Sequence, residues 1–165
     1  MPEVSKAYLQ KRIRQLEKLA MQDELTKLSN YRYFKEAFKR ELSRAKRFGN
    51  PLSLIVIDIN KFKELNDNKG HLVGDRCIRQ VAEVLTDNIR KYDILCRYGG
   101  DEFVIIFPNV LKEQIYLIKE ELKKDIARTT FVTISAGVST YPEDGRSLKT
   151  LFNKADKEMY KDKRK

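Results

Sequence analysis

Apolar residues recur along this chain in two patterns that predict different secondary structures. Spacings of three and four positions predict amphipathic helices, whereas short uninterrupted apolar runs predict buried strands. The predicted helices cover residues 4–22, 31–48, 75–90, 111–126 and 148–163, with a shorter helical segment at 60–66. The predicted strands cover residues 52–57, 94–96, 103–107 and 131–138. Because helices alternate with strands but two strands adjoin in a hairpin, we predict an α/β fold. Its central mixed sheet of about five strands is flanked by helices.

The first helix carries the spacing of a coiled-coil seam. The seam residues follow a four-three-four spacing: Leu9, Ile13, Leu16 and Ala20. The helix has fewer than three heptads, so alone it would dimerise only weakly, and it can instead pack on its own domain. We expect it to be the end of a longer signalling stalk that follows an upstream sensory region. The chain therefore divides into a stalk or coiled-coil helix at 1–22 and a globular domain at 23–165.

Composition narrows the class of protein. The 165 residues are 41% hydrophobic, which suffices for one domain with a core, and no apolar run reaches membrane-spanning length. Two cysteines and no secretory signal predict a reducing, cytoplasmic location, although a membrane anchor can lie upstream. The net charge of +10 suits an anionic partner or a solvated surface rich in ion pairs. The basic clusters contain few aromatic residues, so no stacking platform for nucleic acid is evident and we do not expect that partner.

The candidate chemistry centres on the stretch from Arg97 to Phe103, where Gly99 and Gly100 precede Asp101 and Glu102. Two glycines between apolar runs predict a hairpin, because glycine permits the positive φ of a two-residue turn. The plain alternative is a surface hairpin whose acids aid solubility. The functional alternative is a metal–phosphate site, in which carboxylates hold a cation and the glycine backbone approaches phosphate. Asp58, at the end of the strand 52–57, can share that metal site if the strands are neighbours; otherwise it is a helix cap.

Several motifs in order resemble the GGDEF family, the diguanylate cyclases. Gly99–Phe103 resembles the family's signature, and residues 58–63 are similar to its Asp-x-Asp-x-Phe-Lys run. Further similar segments are Asp23–Thr26, Asn66–Asp75 and Ala155–Lys163, so the resemblance covers residues 23–163. Three positions depart from the family pattern: Lys27, Tyr31 and Asn60, of which we interpret Asn60 as a cap of the next helix. The resemblance implies the fold of polymerase palms and class III nucleotidyl cyclases.

The resemblance also implies a reaction. Two GTP molecules, one on each protomer of a homodimer, would form cyclic di-GMP and release pyrophosphate. The implied cofactor is Mg²⁺, or Mn²⁺, with two ions per active site held by Asp58, the Ile59 carbonyl, Asp101 and Glu102. The implied catalytic residues are Asp101, Glu102 and Lys63, with Asp101 as the base for the 3′-hydroxyl. Since a bound cation lowers the pKa of a hydroxyl group, a dedicated base is not required. The rival interpretation is a silent GGDEF domain that senses GTP or cyclic di-GMP.

The residues that the resemblance assigns to substrate are Asn66, His71, Asp75, Gly99, Gly100 and Lys163. An aspartate can accept both N1–H and the amino group of guanine, which adenine lacks, so Asp75 and Asn66 suit a guanine base. Both residues are also good helix caps, and a lone histidine is usually structural. The family's Gly-Arg-Asn segment beyond Lys163 does not occur before Lys165, which predicts weakened triphosphate affinity.

A second motif resembles the family's inhibitory Arg-x-x-Asp. Arg90 and Asp93 precede Gly99 at the family's spacing, with five residues between Asp93 and Gly99. The Arg90 guanidinium suits phosphate or the acceptor edge of guanine, so the pair would bind cyclic di-GMP and stop catalysis. The alternative is an arginine at a helix end beside a turn-forming aspartate.

Overall fold

The computed structural model describes residues 7–12 and 20–164, of which residues 7–12 are helical. Of the predicted seam, Ile13 and Leu16 lie outside the described residues, so the coiled-coil prediction stays a prediction. The helices after residue 30 are α1 (Tyr31–Phe48), α2 (Phe62–Lys69), α3 (His71–Asp87), α4 (Lys112–Thr129) and α5 (Leu148–Asp162). The strands are β1 (Leu52–Ile59), β2 (Ile94–Arg97), β3 (Glu102–Pro108) and β4 (Ile134–Tyr141). Within the described residues, no helix combines the length and the apolar character needed to cross a membrane.

The strands form one antiparallel sheet in the order β2-β3-β1-β4. The α/β fold with flanking helices is confirmed, but the prediction of a mixed sheet of about five strands is wrong, since the described residues form four. The helical connections do join parallel strands, β1 to β2 and β3 to β4. An antiparallel neighbour separates each of these two parallel pairs, so their strands are not hydrogen bonded to each other. This β-α-β-β-α-β arrangement places β1 at the centre of the molecule.

Strand β1 is buried on both faces, and its alternation decides which side each residue serves. Ile55, Ile57 and Ile59 face the core under α3 and α4. Leu52, Leu54 and Val56 face the core under α1 and α5. By the same period, the side chain of Asp58 emerges on the α1 and α5 side. Helix α5 packs so closely on β4 that a Cβ atom on Gly137 would lie 1.9 Å from the Ala155 carbonyl oxygen.

Two elements begin three or more residues away from the predicted start. Helix α3 begins at His71 rather than Asp75, because the break after α2 is only Gly70, with φ of 82°. Asp75 therefore lies inside a helix and opens none. Strand β4 begins at Ile134 rather than at 131, which leaves Phe131 in the connection after α4 with an exposed ring.

Candidate active site at the end of the central strand

The predicted meeting of Asp58 with the hairpin acids occurs at the end of β1. Asp58 lies directly opposite Glu102 in the register of β1 and β3. The Ile59 backbone N–H donates to the Asp101 carbonyl oxygen at 3.2 Å, which fixes the hairpin turn against the same strand end. The Asp58 residue is only 8% exposed. A buried carboxylate beside two further acids is costly unless a cation balances it.

Lys163 supplies one such cation. Its Nζ atom lies 2.6 Å from Asp58 Oδ1, although 105 residues separate the two in the chain. The contact follows from the fold, since Asp58 emerges on the α5 side of the sheet and Lys163 directly follows α5. The structure therefore brings the predicted phosphate ligand to the predicted metal ligand.

The pKa values of the two hairpin acids are raised by burial and by neighbouring carboxylates, and the positive charge of Lys163 opposes this rise only in part. Burial, and then the charge of Asp58, raise the pKa of Asp101. Burial raises the pKa of Glu102 as well, followed by the charges of Asp101, Asp58 and Asp156. Among the described residues, no group of three or more His, Cys, Asp or Glu side chains is arranged to hold a metal ion. Asp58, Asp101 and the Ile59 carbonyl still fit Mg²⁺, which takes few protein oxygens and completes its shell with phosphate and water.

The hairpin glycines act by leaving space. The predicted two-residue turn with positive φ is wrong, because four residues, 98–101, separate β2 from β3. Among the described glycines, positive φ occurs at Gly49 and Gly70. A Cβ atom on Gly99 would lie 2.7 Å from Glu102 Oε2, whereas one on Gly100 would meet nothing within 4 Å. Gly99 thus makes room for the Glu102 carboxylate, and Gly100 keeps the outer side of the turn open.

Sequence reasoning missed the role of Arg97, the residue that braces this turn. Arg97 Nη2 donates to the Gly100 carbonyl oxygen at 2.7 Å, and Nε donates to the Gly99 carbonyl oxygen at 3.1 Å. Arg97 Nη1 lies 3.1 Å from both carboxylate oxygens of Asp23, which also accepts from the N–H and hydroxyl of Thr26. The segment before α1 is thereby joined to the turn. The only signal in the sequence is that Arg97 lies two residues before Gly99.

The predicted base readers, Asn66 and Asp75, lie on two consecutive helices. Asn66 is in the second turn of α2 and Asp75 is the fifth residue of α3, so the alternative that they are N-caps is wrong. Asn66 Oδ1 is buried and has no hydrogen-bond partner in the structure. A Cβ atom on Gly74 would lie only 1.9 Å from that oxygen. A buried amide acceptor without a partner suits a ligand donor, because leaving it unpaired is costly.

Other predicted residues lie nearer the surface or act differently. His71 begins α3 and Lys63 is the second residue of α2, and both are exposed. Asn60 does not cap α2, whose N-cap is Lys61 with φ of 57°. The Asn60 amide instead donates to Thr133 Oγ1 at 2.9 Å, and its Oδ1 accepts from Ser135 Oγ at 2.6 Å. The departure at Asn60 therefore ties the end of β1 to β4 and to the segment before it.

Comparison with known proteins identifies the family. The sequence model described as "Diguanylate cyclase, GGDEF domain" matches residues 20–165. The chain belongs to the GGDEF family. It is 36% identical over 166 aligned positions to the response regulator PleD of Caulobacter vibrioides, covering 94% of this chain and 37% of PleD. It is 42% identical over 107 positions to the diguanylate cyclase DosC of Escherichia coli, covering 65% of this chain and 23% of DosC. The chain thus spans well under half the length of these relatives.

A solved GGDEF structure agrees with the fold described above. The coiled coil and GGDEF domain of DgcB from Caulobacter crescentus, in complex with c-di-GMP, superposes with a TM-score of 0.86 at 28% identity. The match covers 94% of this chain and 87% of that chain. The predicted palm-like α/β fold is therefore confirmed as that of a GGDEF domain.

The Arg-x-x-Asp motif of this GGDEF domain lies away from the hairpin turn. It precedes β2, whereas Gly99 and Gly100 follow that strand. Asp93 Oδ2 accepts from the Arg90 N–H at 2.8 Å, so Asp93 does form a turn. Arg90 is exposed and lies beyond α3, which ends at Asp87, so it is not a helix-end residue. Both residues line a cavity of about 450 Å³ that also contacts α4. Burial raises the pKa of Asp93, and Arg90 partly opposes that rise.

Proposed function

We propose that this GGDEF domain is a diguanylate cyclase that condenses two GTP molecules into cyclic di-GMP with release of pyrophosphate. The observation that carries the proposal is the meeting of Asp58, Asp101 and Glu102 at the end of β1, with Lys163 on Asp58. Carboxylate oxygens beside an ammonium group suit a nucleoside triphosphate and its cation.

In this mechanism the 3′-hydroxyl oxygen of each GTP attacks the α-phosphorus of the other. A new P–O bond forms while the bond to the β-phosphate oxygen breaks, and pyrophosphate leaves with that electron pair. Two such steps close the ring. Asp101 accepts the hydroxyl proton, and the raised pKa caused by burial and by Asp58 makes it a stronger base. Lys63 and Lys163 neutralise the phosphate charge that develops.

The metal ligands in this proposal are Asp58, the Ile59 carbonyl, Asp101 and Glu102. When bound, two Mg²⁺ or Mn²⁺ ions neutralise charge on the attacking and leaving oxygens. The crowding of negative charge around Asp101 and Glu102 supports this assignment.

Guanine specificity is assigned to Asn66 and Asp75. The unpaired Asn66 Oδ1 accepts a ring-edge donor, and the Asp75 carboxylate accepts N1–H and the amino group. His71 lies at the start of α3, four residues before Asp75. In the hairpin turn, Gly99 makes room for the Glu102 carboxylate, and Gly100 leaves room for the nucleotide.

Catalysis in this proposal requires a homodimer, because one domain binds one GTP and the reaction joins two. Residues 1–22 would act as the signalling helix that aligns two copies of the catalytic domain at 23–165. Arg90 and Asp93 would bind cyclic di-GMP as a feedback inhibitor. The cavity beside them, and its separation from the hairpin turn, support inhibition that leaves GTP binding intact.

The test is incubation of the protein with GTP and Mg²⁺, followed by nucleotide chromatography. Cyclic di-GMP and pyrophosphate should appear with the wild-type protein. The rate for Asp101→Asn should be lower by about 100-fold or more. Asp87→Asn, a control at an exposed position on α3, should react at the wild-type rate. Binding of GTP without turnover would instead support the sensor role.

A further inference from the structure

Two ion pairs join α4 to α5 like the rungs of a ladder. Lys119 Nζ lies 3.1 Å from Glu158 Oε1, and Lys123 Nζ lies 2.6 Å from Asp162 Oδ2. The partners are four residues apart on each helix, so the rungs are one helical turn apart. Only the second rung includes the residue directly before Lys163, which is Asp162.

The second rung is bonded to the sheet, whereas the further bond of the first rung lies between the helices, where the Tyr116 hydroxyl donates to Glu158 Oε2 at 3.1 Å. Asp162 Oδ2 also accepts the Ala136 backbone N–H at 3.1 Å. Ala136 lies in β4, which is an edge strand of the sheet that the described residues form. The Asp162 side chain is 14% exposed. Asp162 therefore fastens the last turn of α5 to α4 and to the sheet at once.

An aspartate at this position needs an explanation. The C-terminus of a helix carries partial negative charge, so an acid in the last turn is unfavourable unless a cation offsets it. Helix ends also fray, and a lysine side chain loses considerable rotamer entropy when it is held in one place. Lys163 follows directly and reaches Asp58 at 2.6 Å. Because the backbone at Asp162 is fixed, Lys163 loses less conformational entropy when it reaches the site.

We propose that Asp162, held by Lys123, is a positioning residue for Lys163. It acts on the reaction through the backbone at the end of α5 and contacts no substrate itself. The inference rests on the proposed function, in which Lys163 binds the GTP phosphates. Loss of the Asp162 carboxylate charge should let the end of α5 move and weaken that phosphate contact.

The test compares Asp162→Asn and Lys123→Met with matched changes in the first rung, Glu158→Gln and Lys119→Met. The second-rung variants should lose about tenfold in kcat/KM for GTP, mainly through KM. They should also lose about tenfold in affinity for a non-reactive GTP analogue measured by calorimetry. The first-rung variants should stay within about twofold of wild type in both, although all four lower Tm by similar amounts. A purely structural role predicts equal effects from both rungs.

A double-mutant cycle with Lys163→Ala decides the matter. If Asp162 acts through Lys163, the double variant Asp162→Asn/Lys163→Ala should be no worse than Lys163→Ala alone. The inference would be overturned if the effects of Asp162→Asn and Lys163→Ala multiply. It would also be overturned if the second-rung variants lose no more kcat/KM and affinity than the first-rung variants. These measurements distinguish failure of the positioning role from failure of the proposed function. Absence of cyclic di-GMP with the wild-type protein refutes the cyclase. If Lys163→Ala weakens binding of the GTP analogue and Asp162→Asn does not, only the positioning role is refuted. Should Asp162→Asn fail to fold, Lys123→Met removes the same rung from the other side.

Discussion

The guanidinium of Arg97 contacts the carboxylate of Asp23, 74 residues earlier in the chain, and the carbonyl of Gly100 at the same time. The planar fork of arginine makes both contacts possible, because its donors point in different directions. Asp23 lies just after the N-terminal segment, and Gly100 lies in the turn beside Asp101. The Arg97 side chain thus links the start of the domain to the proposed active site.

Arg97→Met should lower the rate of cyclic di-GMP formation by roughly tenfold or more, because the turn that carries Asp101 loses three hydrogen bonds and shifts. Arg128→Met is the matched control, since Arg128 pairs with Asp125 on the surface. Initial rates at saturating GTP provide the measurement. Equal rates for the Arg97 variant and wild type would show that the turn holds its shape without the brace.

The charge of Asp23 should be visible in the pH dependence of stability. Burial raises the pKa of Asp23, but hydrogen bonds from Thr26 and Arg97 outweigh it, so the pKa is lowered overall. An acid with a lowered folded-state pKa stabilises the fold above its usual pKa, near 4, and that stabilisation is lost as pH falls through the folded-state value. At pH 7, Asp23→Asn should therefore melt roughly 2 °C below wild type, a small shift because solvent screens the pair.

The same comparison at acid pH provides the check. Protonated Asp23 resembles asparagine in charge, so the two melting curves should converge as pH falls below about 4. Other carboxylates titrate equally in both proteins and cancel in the difference. A gap that stays constant from pH 7 to pH 3 would show that the Asn variant acts by shape rather than charge.

The sequence allowed prediction of features that depend on neighbours in the chain. The strand ending at Asp58 and the acids after Gly100 follow local patterns, and they do meet at one end of the sheet. Pairings between distant segments were missed. Nothing local showed that β3 would separate β1 from β2, so the sheet was predicted to be mixed. Nothing local paired Arg97 with Asp23 or Asp162 with Lys123, because charged residues are frequent in this chain.

Helix boundaries explain a second kind of error. Asn66 and Asp75 are residue types that favour caps, so the sequence left caps and base readers as alternatives. The break at Gly70 is narrower than expected, and both residues lie inside helices. The orphaned Asn66 Oδ1 then favours a ligand, a point that requires knowing what surrounds the atom.

Arg90→Ala should remove feedback inhibition while leaving the initial rate unchanged, because Arg90 lies at the opposite end of β2 from the hairpin turn. A full time course should show wild type slowing as product accumulates with GTP still in excess, whereas the variant continues at its initial rate. Lys91→Ala, an exposed neighbour, should behave like wild type. Identical slowing of the Arg90 variant and wild type would leave Arg90 with no inhibitory role.

Gly74→Ala should weaken guanine recognition. The added methyl group would lie 1.9 Å from Asn66 Oδ1, 3.0 Å from Asn66 Cγ and 3.2 Å from the Phe62 ring, so the Asn66 amide must move. Affinity for a non-reactive GTP analogue, measured by calorimetry, should fall about tenfold, as for one lost specific contact of roughly 1–3 kcal/mol. Leu72→Ala is the control on the same helix, since the Leu72 side chain is 83% exposed.

A change in helix stability does not account for such a loss, because alanine is a better helix former than glycine by about 1 kcal/mol. A double-mutant cycle isolates the cause. Once Asn66→Ala has removed the amide, the methyl group of Gly74→Ala has no oxygen to displace, so the second change should cost no further affinity. Discrimination between GTP and ATP analogues should fall equally in both single variants. If the two losses multiply, Gly74 acts on guanine binding by some route other than Asn66.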